Sequence, residues 1–94
     1  MGNHVFICYA RKDEDFVLKL ATNLKARGVL VWVDQWGIPA GANWPRSIDK
    51  AIDDCALFLV VFSPEAVESD RVQGEWLRAL NKKKLIVPVV YQLS

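Results

Sequence analysis

The chain has very little of what metal, disulfide or nucleic-acid chemistry requires. It carries one histidine, His4, and two cysteines, Cys8 and Cys55, without the spacing of a metal cage or a disulfide framework. His4 has no sequence partner for a triad or a metal, so no metal site is expected. The two cysteines lie inside apolar segments and read as small buried hydrophobes in a reducing compartment, which points to the cytoplasm. Twelve Lys and Arg face eleven Asp and Glu, and the resulting net charge of +1 makes no field that would gather nucleic acid or an anionic membrane. The run Lys82-Lys83-Lys84 is too short to change that and reads as a solvated turn. No apolar stretch approaches the roughly 20 residues that span a bilayer, and no charged-then-apolar leader follows Met1. Repeats, linkers and low-complexity segments are absent, so no internal boundary is expected. A Gly-x-Gly-x-x-Gly fingerprint is missing, which argues against a Rossmann dinucleotide fold. The first apolar run ends in Cys8-Tyr9-Ala10, without the acidic pair that a receiver-like phosphoacceptor needs.

What is present is a single domain, residues 1–94, with enough apolar content, 52%, to build one modest core. Residues 4–9 (HVFICY) form a nearly continuous apolar run, as in a strand covered on both faces. Asp13 is a plausible N-cap for a helix over 14–27, where Phe16, Val17, Leu20, Ala21 and Leu24 recur at helical spacing and Gly28 ends the pattern. A second strand over 29–33 completes a βαβ unit with parallel strands. Pro45 suits the first turn of a second helix with Ile48, Ala51, Ile52 and Cys55 facing inward. Residues 57–62 (LFLVVF) predict the central strand. Ser63-Pro64 breaks it, and an irregular piece to Glu68 leads to a helix capped by Ser69 or Asp70 and running through Leu80. Val72, Trp76, Leu77 and Leu80 are its expected core-facing set. The fourth strand covers 85–91, where Pro88 predicts a bulge or an edge position. The pattern is that of an α/β, flavodoxin-like parallel sheet with helices on both faces. It looks truncated after the fourth strand, with nothing to cover Val87, Val89 and Val90, so a partner or the rest of a longer protein is expected on that edge.

The most unusual stretch is 29–44, VLVWVDQWGIPAGANW. A loop that offers Trp36, Ile38 and Trp44 to solvent gives up roughly 1.5 to 3 kcal/mol of burial for each; these side chains either fold back over the domain's own core or meet a partner. In open parallel sheets ligands collect at the carboxyl ends of the strands. That rule gathers Tyr9, Ala10 and Arg11, the loop from Asp34 to Trp44, and Ser63 and Pro64, with Glu75 one turn into the third helix. A carboxylate, an arginine and aromatic rings suit a flat, charged ligand. Taken singly, Glu75 also reads as a surface glutamate, Trp32 as a core aromatic and Arg11 as a solvated loop charge.

The segment VFICYARKDEDFVLKLATNLKARGVLVWVDQWGIPAGANW resembles the first half of a Toll, interleukin-receptor and resistance-protein (TIR) domain. Its second strand and Asp34 lead into the so-called BB loop with Ile38-Pro39-Ala40-Gly41. LFLVVFSPEAVESD and LIVPVV resemble that family's third strand with its Ser-Pro ending and its fourth strand. The likeness runs in order over nearly all 94 residues, its loop style looks prokaryotic, and it implies that the last part of the family fold is missing. Some TIR domains cleave NAD+ at the nicotinamide-ribose bond, and others act only as self-associating adaptors. The resemblance implies that Glu75, in GEWLRALNKKKLIVP, is the catalytic carboxylate, that Trp32 stacks on nicotinamide, and that Tyr9, Arg11 and Asp34 line the pocket. It implies self-association through Trp36, Gly37, Ile38, Pro39, Gly41 and Trp44. NAD+ would be the substrate, with no cofactor, and other TIR domains, as in a homo-oligomer, would be the partners. The enzymes often have a tryptophan four residues before the glutamate; here that position is Arg71. The expectation is therefore an NAD+ nucleosidase activated by assembly, with linear or cyclic product, and the alternative is a non-catalytic scaffold.

Overall fold

The computed structural model describes residues 4–33 and 44–91. Strand β1 (Val5–Cys8) is followed by a 3-10 turn (Arg11–Asp13), helix α1 (Glu14–Ala26), strand β2 (Val31–Trp32), helix α2 (Trp44–Asp54) and strand β3 (Leu57–Phe62). Helices α3 (Pro64–Glu68) and α4 (Asp70–Asn81) and strand β4 (Ile86–Val90) complete the described chain. All strand pairs are parallel and the order is β2-β1-β3-β4, so β1 and β3 are central.

Side chains alternate across the sheet as the pleat requires. Phe6, Cys8, Phe58 and Val60 point to one face, where α2 contributes Ala51 and Ile52, α3 Ala66, and α4 Val72 and Ala79. Ile7, Tyr9, Leu59 and Val61 point to the other, which α1 covers with Val17 and Ala21. Helices therefore lie on both faces, as in flavodoxin-like folds. Helix α1 ends as the sequence predicts: Gly28 takes φ +86°, its N–H reaches Lys25 O, and the Val29 N–H reaches Leu24 O, both at 3.0 Å. This pair of bonds satisfies the carbonyls that a helix end orphans.

Three expectations are corrected. The piece after Ser63 is helical: the Ser63 hydroxyl accepts the Ala66 N–H at 3.1 Å and Pro64 occupies the first turn, so the Ser-Pro pair starts a helix as well as ending a strand. The second strand is shorter than 29–33, spanning Val31–Trp32, because Val29 is held by the α1 terminus. On α4, Leu77 and Leu80 are about half exposed, whereas Val72, Glu75 and Ala79 are buried. The helix is rotated so that an acidic residue, not two leucines, faces the sheet.

Pro88 pairs in register with Val60, without a bulge, on an edge strand. Leu85 O accepts from Phe58 N, and Tyr91 N donates to Phe62 O; odd-numbered positions thus face β3, and Pro88 faces the outer edge, where its missing N–H interrupts no ladder bond. Val87 and Val90 are exposed on that strand. Among the described residues no helix is long and apolar enough to cross a membrane.

Candidate active site

The carboxyl ends of β1 and β3 are tied together by polar groups that are themselves buried. After β1 the chain turns through Arg11–Asp13, and Asp13 is only 3% exposed. Its carboxylate caps no helix. It accepts instead from the hydroxyl of Ser63 at the end of β3, and that hydroxyl in turn accepts from Ala66 N. Ser63 thus serves as both donor and acceptor in a place without solvent, as buried hydroxyls must. Glu65, in the first turn of α3, has a buried Oε2 that no described donor reaches.

Helix α4 begins beside this junction because Ser69 caps it, accepting the Val72 N–H at 3.2 Å. The cap fixes Arg71 in the first turn and Glu75 one turn later. The Arg71 guanidinium is forked: Nη2 donates to the carbonyl oxygen of Tyr9, and Nη1 donates to Glu75 Oε2 at 3.3 Å. Its Cζ lies 5.9 Å from the centre of the Tyr9 ring, within range of a cation–π contact. The Cys8 thiol donates to Val72 O at 3.8 Å, so the start of α4 meets the end of β1 through Arg71 and Val72 on the helix and Cys8 and Tyr9 on the strand. Glu75 is 6% exposed. A carboxylate so far from water is tolerable only when paired, and the guanidinium supplies the charge.

The structure brings Glu75 and Tyr9 together through Arg71. Tyr9 contributes its backbone carbonyl there, while its ring is packed under α1. Arg11 lies on the turn beyond β1 and forms a 3.9 Å ion pair with Glu14, with its side chain more than half exposed. Trp32 is set apart from this group. It pairs in register with Phe6, and its ring stacks on Phe6 at 4.8 Å, which stacks on Phe58 at 5.2 Å. Tyr9 lies three residues further along β1, roughly 10 Å at strand spacing. Trp32 instead borders a depression of about 270 Å³ with His4, Ser47, Lys50, Ala51 and Asp54. Asp34, Trp36, Gly37, Ile38, Pro39 and Gly41 lie outside the described residues, as does the side chain of Trp44. Sequence reasoning reads Asp13 as a helix cap, gathers Ser63 only by its place at the end of a strand, and meets Arg71 only as the residue at the family's tryptophan position; it assigns none of them its partner here. The four-residue spacing of Arg71 and Glu75 was the available signal, since it stacks the two on one helix face. Among the described residues no cluster of His, Cys, Asp or Glu could hold a metal ion.

A buried carboxylate held at the carboxyl ends of a parallel sheet defines an α/β domain with an acidic group at the edge where ligands of open parallel sheets generally collect. The chain belongs to the TIR domain family, whose model matches residues 5–94. It is 34% identical over 95 residues to the NAD(+) hydrolase TcpA of Theionarchaea archaeon (strain DG-70-1), covering 96% of this chain and 29% of that protein. It is 30% identical over 95 residues to the 2' cyclic ADP-D-ribose synthase AbTIR of Acinetobacter baumannii, covering 96% of this chain and 35% of that one. These archaeal and bacterial relatives place it with TIR domains of prokaryotic type, and the chain spans about a third of their length. Among solved structures, the TIR domain of the Toll-related receptor TRR-2 from Hydra magnipapillata superposes with a TM-score of 0.87 at 25% identity, covering 96% of this chain and 71% of that one. The TIR domains of the activated Roq1 resistosome share the fold, with a TM-score of 0.89 at 24% identity and coverage of 99% and 60%.

Proposed function

We propose that this TIR domain cleaves NAD+ at the nicotinamide-ribose bond, with Glu75 as the catalytic carboxylate. The observation that carries the reading is a glutamate buried at the ends of β1 and β3 and held there by a cation. Nicotinamide departs as a neutral molecule from a cationic pyridinium, taking the electron pair of the broken C–N bond, so no acid is needed for the leaving group. This differs from glycoside hydrolysis, where a second carboxyl group protonates an alkoxide. One carboxylate is enough: it holds the ribose hydroxyls and stabilises the oxocarbenium charge as it develops. Water, or a nucleophile of the same dinucleotide, then bonds to the anomeric carbon and gives up its proton, giving linear or cyclic ADP-ribose. NAD+ is the substrate and no cofactor is invoked. The names of the relatives, an NAD(+) hydrolase and a cyclic ADP-ribose synthase, support this chemistry.

In the single chain the Glu75 side chain is 8% exposed, which supports activity that depends on assembly. The partners proposed are further copies of this domain, joined through Trp36, Gly37, Ile38, Pro39, Gly41 and Trp44. Asp34, Arg11 and Tyr9 remain proposed pocket residues. Trp32 is proposed as the nicotinamide platform only if the ring leaves its stack on Phe6. Two buried thiols, Cys8 and Cys55, suit a cytoplasmic setting. The second reading is a scaffold module without catalysis, which the exposed Leu77, Leu80, Leu85 and Val90 favour. Incubating concentrated protein with NAD+ and measuring nicotinamide separates the two. The enzyme reading expects release by the wild type and loss with Glu75→Ala; equal release by both removes Glu75 from the mechanism, and none by either leaves the scaffold.

A further inference from the structure

The pair formed by Arg71 and Glu75 is arranged against the interests of the helix that carries it. Arg71 stands in the first turn of α4, where the positive end of the helix dipole repels a cation. The order, cation before anion at a four-residue interval, is also the weaker of the two arrangements. Helix stability alone would reverse the pair. Its geometry supplies another purpose: the guanidinium reaches across to the Tyr9 carbonyl at the end of β1 and lies over the Tyr9 ring, while its other nitrogen holds Glu75 Oε2.

Resting on the reading of Glu75 as the catalytic carboxylate, we propose that Arg71 is a positioning residue, which fixes the Glu75 carboxylate against the carboxyl end of β1 by bonding it and the Tyr9 carbonyl at once. A planar fork with two outward donors does this; a single ammonium cannot span both acceptors with the same geometry. Arg71 occupies the place where the family's enzymes often carry a tryptophan, so in this chain a charged clamp stands where an aromatic wall is expected.

The test is a set of variants assayed for nicotinamide release at matched protein concentration, with thermal unfolding measured alongside. Arg71→Ala is expected to lower kcat about 10- to 100-fold, the usual consequence of a misplaced reacting group, with KM changed by less than about threefold, since the clamp acts on orientation and not on substrate affinity. Millimolar guanidinium chloride should restore part of the lost kcat, and Arg71→Lys should be intermediate. In the Glu75→Gln background Arg71→Ala should add no further loss, because the group it positions is already gone. If Arg71→Ala unfolds, Arg71→Lys and Arg71→Gln carry the same comparison. Unchanged kcat, a purely KM effect, or a loss that guanidinium leaves untouched overturns the proposal. A Glu75→Gln protein that is inactive beside a fully active Arg71→Ala defeats the clamp and spares the enzyme reading; a fully active Glu75→Gln defeats both.

Discussion

Helix α4 carries charge pairs at both of its ends, and the two ends differ in almost every physical respect. At its start Arg71 and Glu75 are tied to β1, with the glutamate nearly out of reach of water. At its finish Arg78 pairs with Asp49 at 3.4 Å and Lys82 pairs with Asp53 across to α2, all partly or largely exposed. Lys84 joins them by donating to Cys55 O at 3.0 Å. The cations at the finish complement the helix dipole and the carbonyls at the end of α2, as surface straps do. The cation at the start opposes the dipole. At the start, burial works against the glutamate and the dipole against the arginine, so folding alone does not account for a pair set at the carboxyl end of the sheet.

Substitutions should separate the two ends by kind of effect. The largest difference is in turnover: Glu75→Gln should reduce nicotinamide release at least about 100-fold, the scale on which a lost electrostatic contact to a developing charge is felt, whereas Asp49→Asn should leave it unchanged in the same assay. Next is stability at the buried end. Ser63→Ala removes a helix cap and the donor to a buried carboxylate, and should cost about 3 kcal/mol in urea unfolding, with an unaltered m-value. At the exposed end Lys83 holds φ 58°, a left-handed conformation that an L side chain resists, so Lys83→Gly should raise the unfolding free energy by up to about 1 kcal/mol, read in the same urea titration. The smallest effect belongs to the strap. The hydrogen bond from Lys82 holds the Asp53 carboxyl below its usual range, and the same bond pushes the Lys82 ammonium up. The lowered acid stabilises the fold above its ordinary value, near 3.8, and that contribution disappears as pH falls through the folded value. The raised base contributes below its ordinary value, near 10.5, and loses this as pH rises. Asp53→Asn should flatten the acid limb of a stability–pH curve slightly, and added salt should hide the difference.

The sequence made the layers legible wherever hydrophobicity alone decides them. The run LFLVVF is β3 with the same bounds, 57–62, and the spacing of Val17 and Ala21 turned α1 toward the sheet. It misjudged α4, because a periodicity argument ranks Leu77 and Leu80 above Glu75 and has no means of knowing that Arg71 neutralises the acid. The same blindness affected Asp13: the nearest use for an acid before a helix is a cap, but its carboxylate goes to Ser63, fifty positions away, a pairing that only the register of β1 against β3 creates. Ser63-Pro64 carries two messages, stop and start, and a strand-breaker argument conveys only the first. The carboxyl-end rule brings position 75 near the strand ends, but its catalytic role comes only from resemblance to a family; the one local signal, Arg71 four residues earlier, points to a paired acid and not to chemistry.

The most direct test of the central claim is the structure of the assembled Glu75→Gln protein crystallised with NAD+. The account predicts the nicotinamide riboside at the carboxyl ends of β1 and β3, with a ribose hydroxyl within about 3 Å of the side chain at position 75. A dinucleotide bound elsewhere, such as over Trp32 and Ser47 on the α2 side, with position 75 still closed against Arg71, would contradict it.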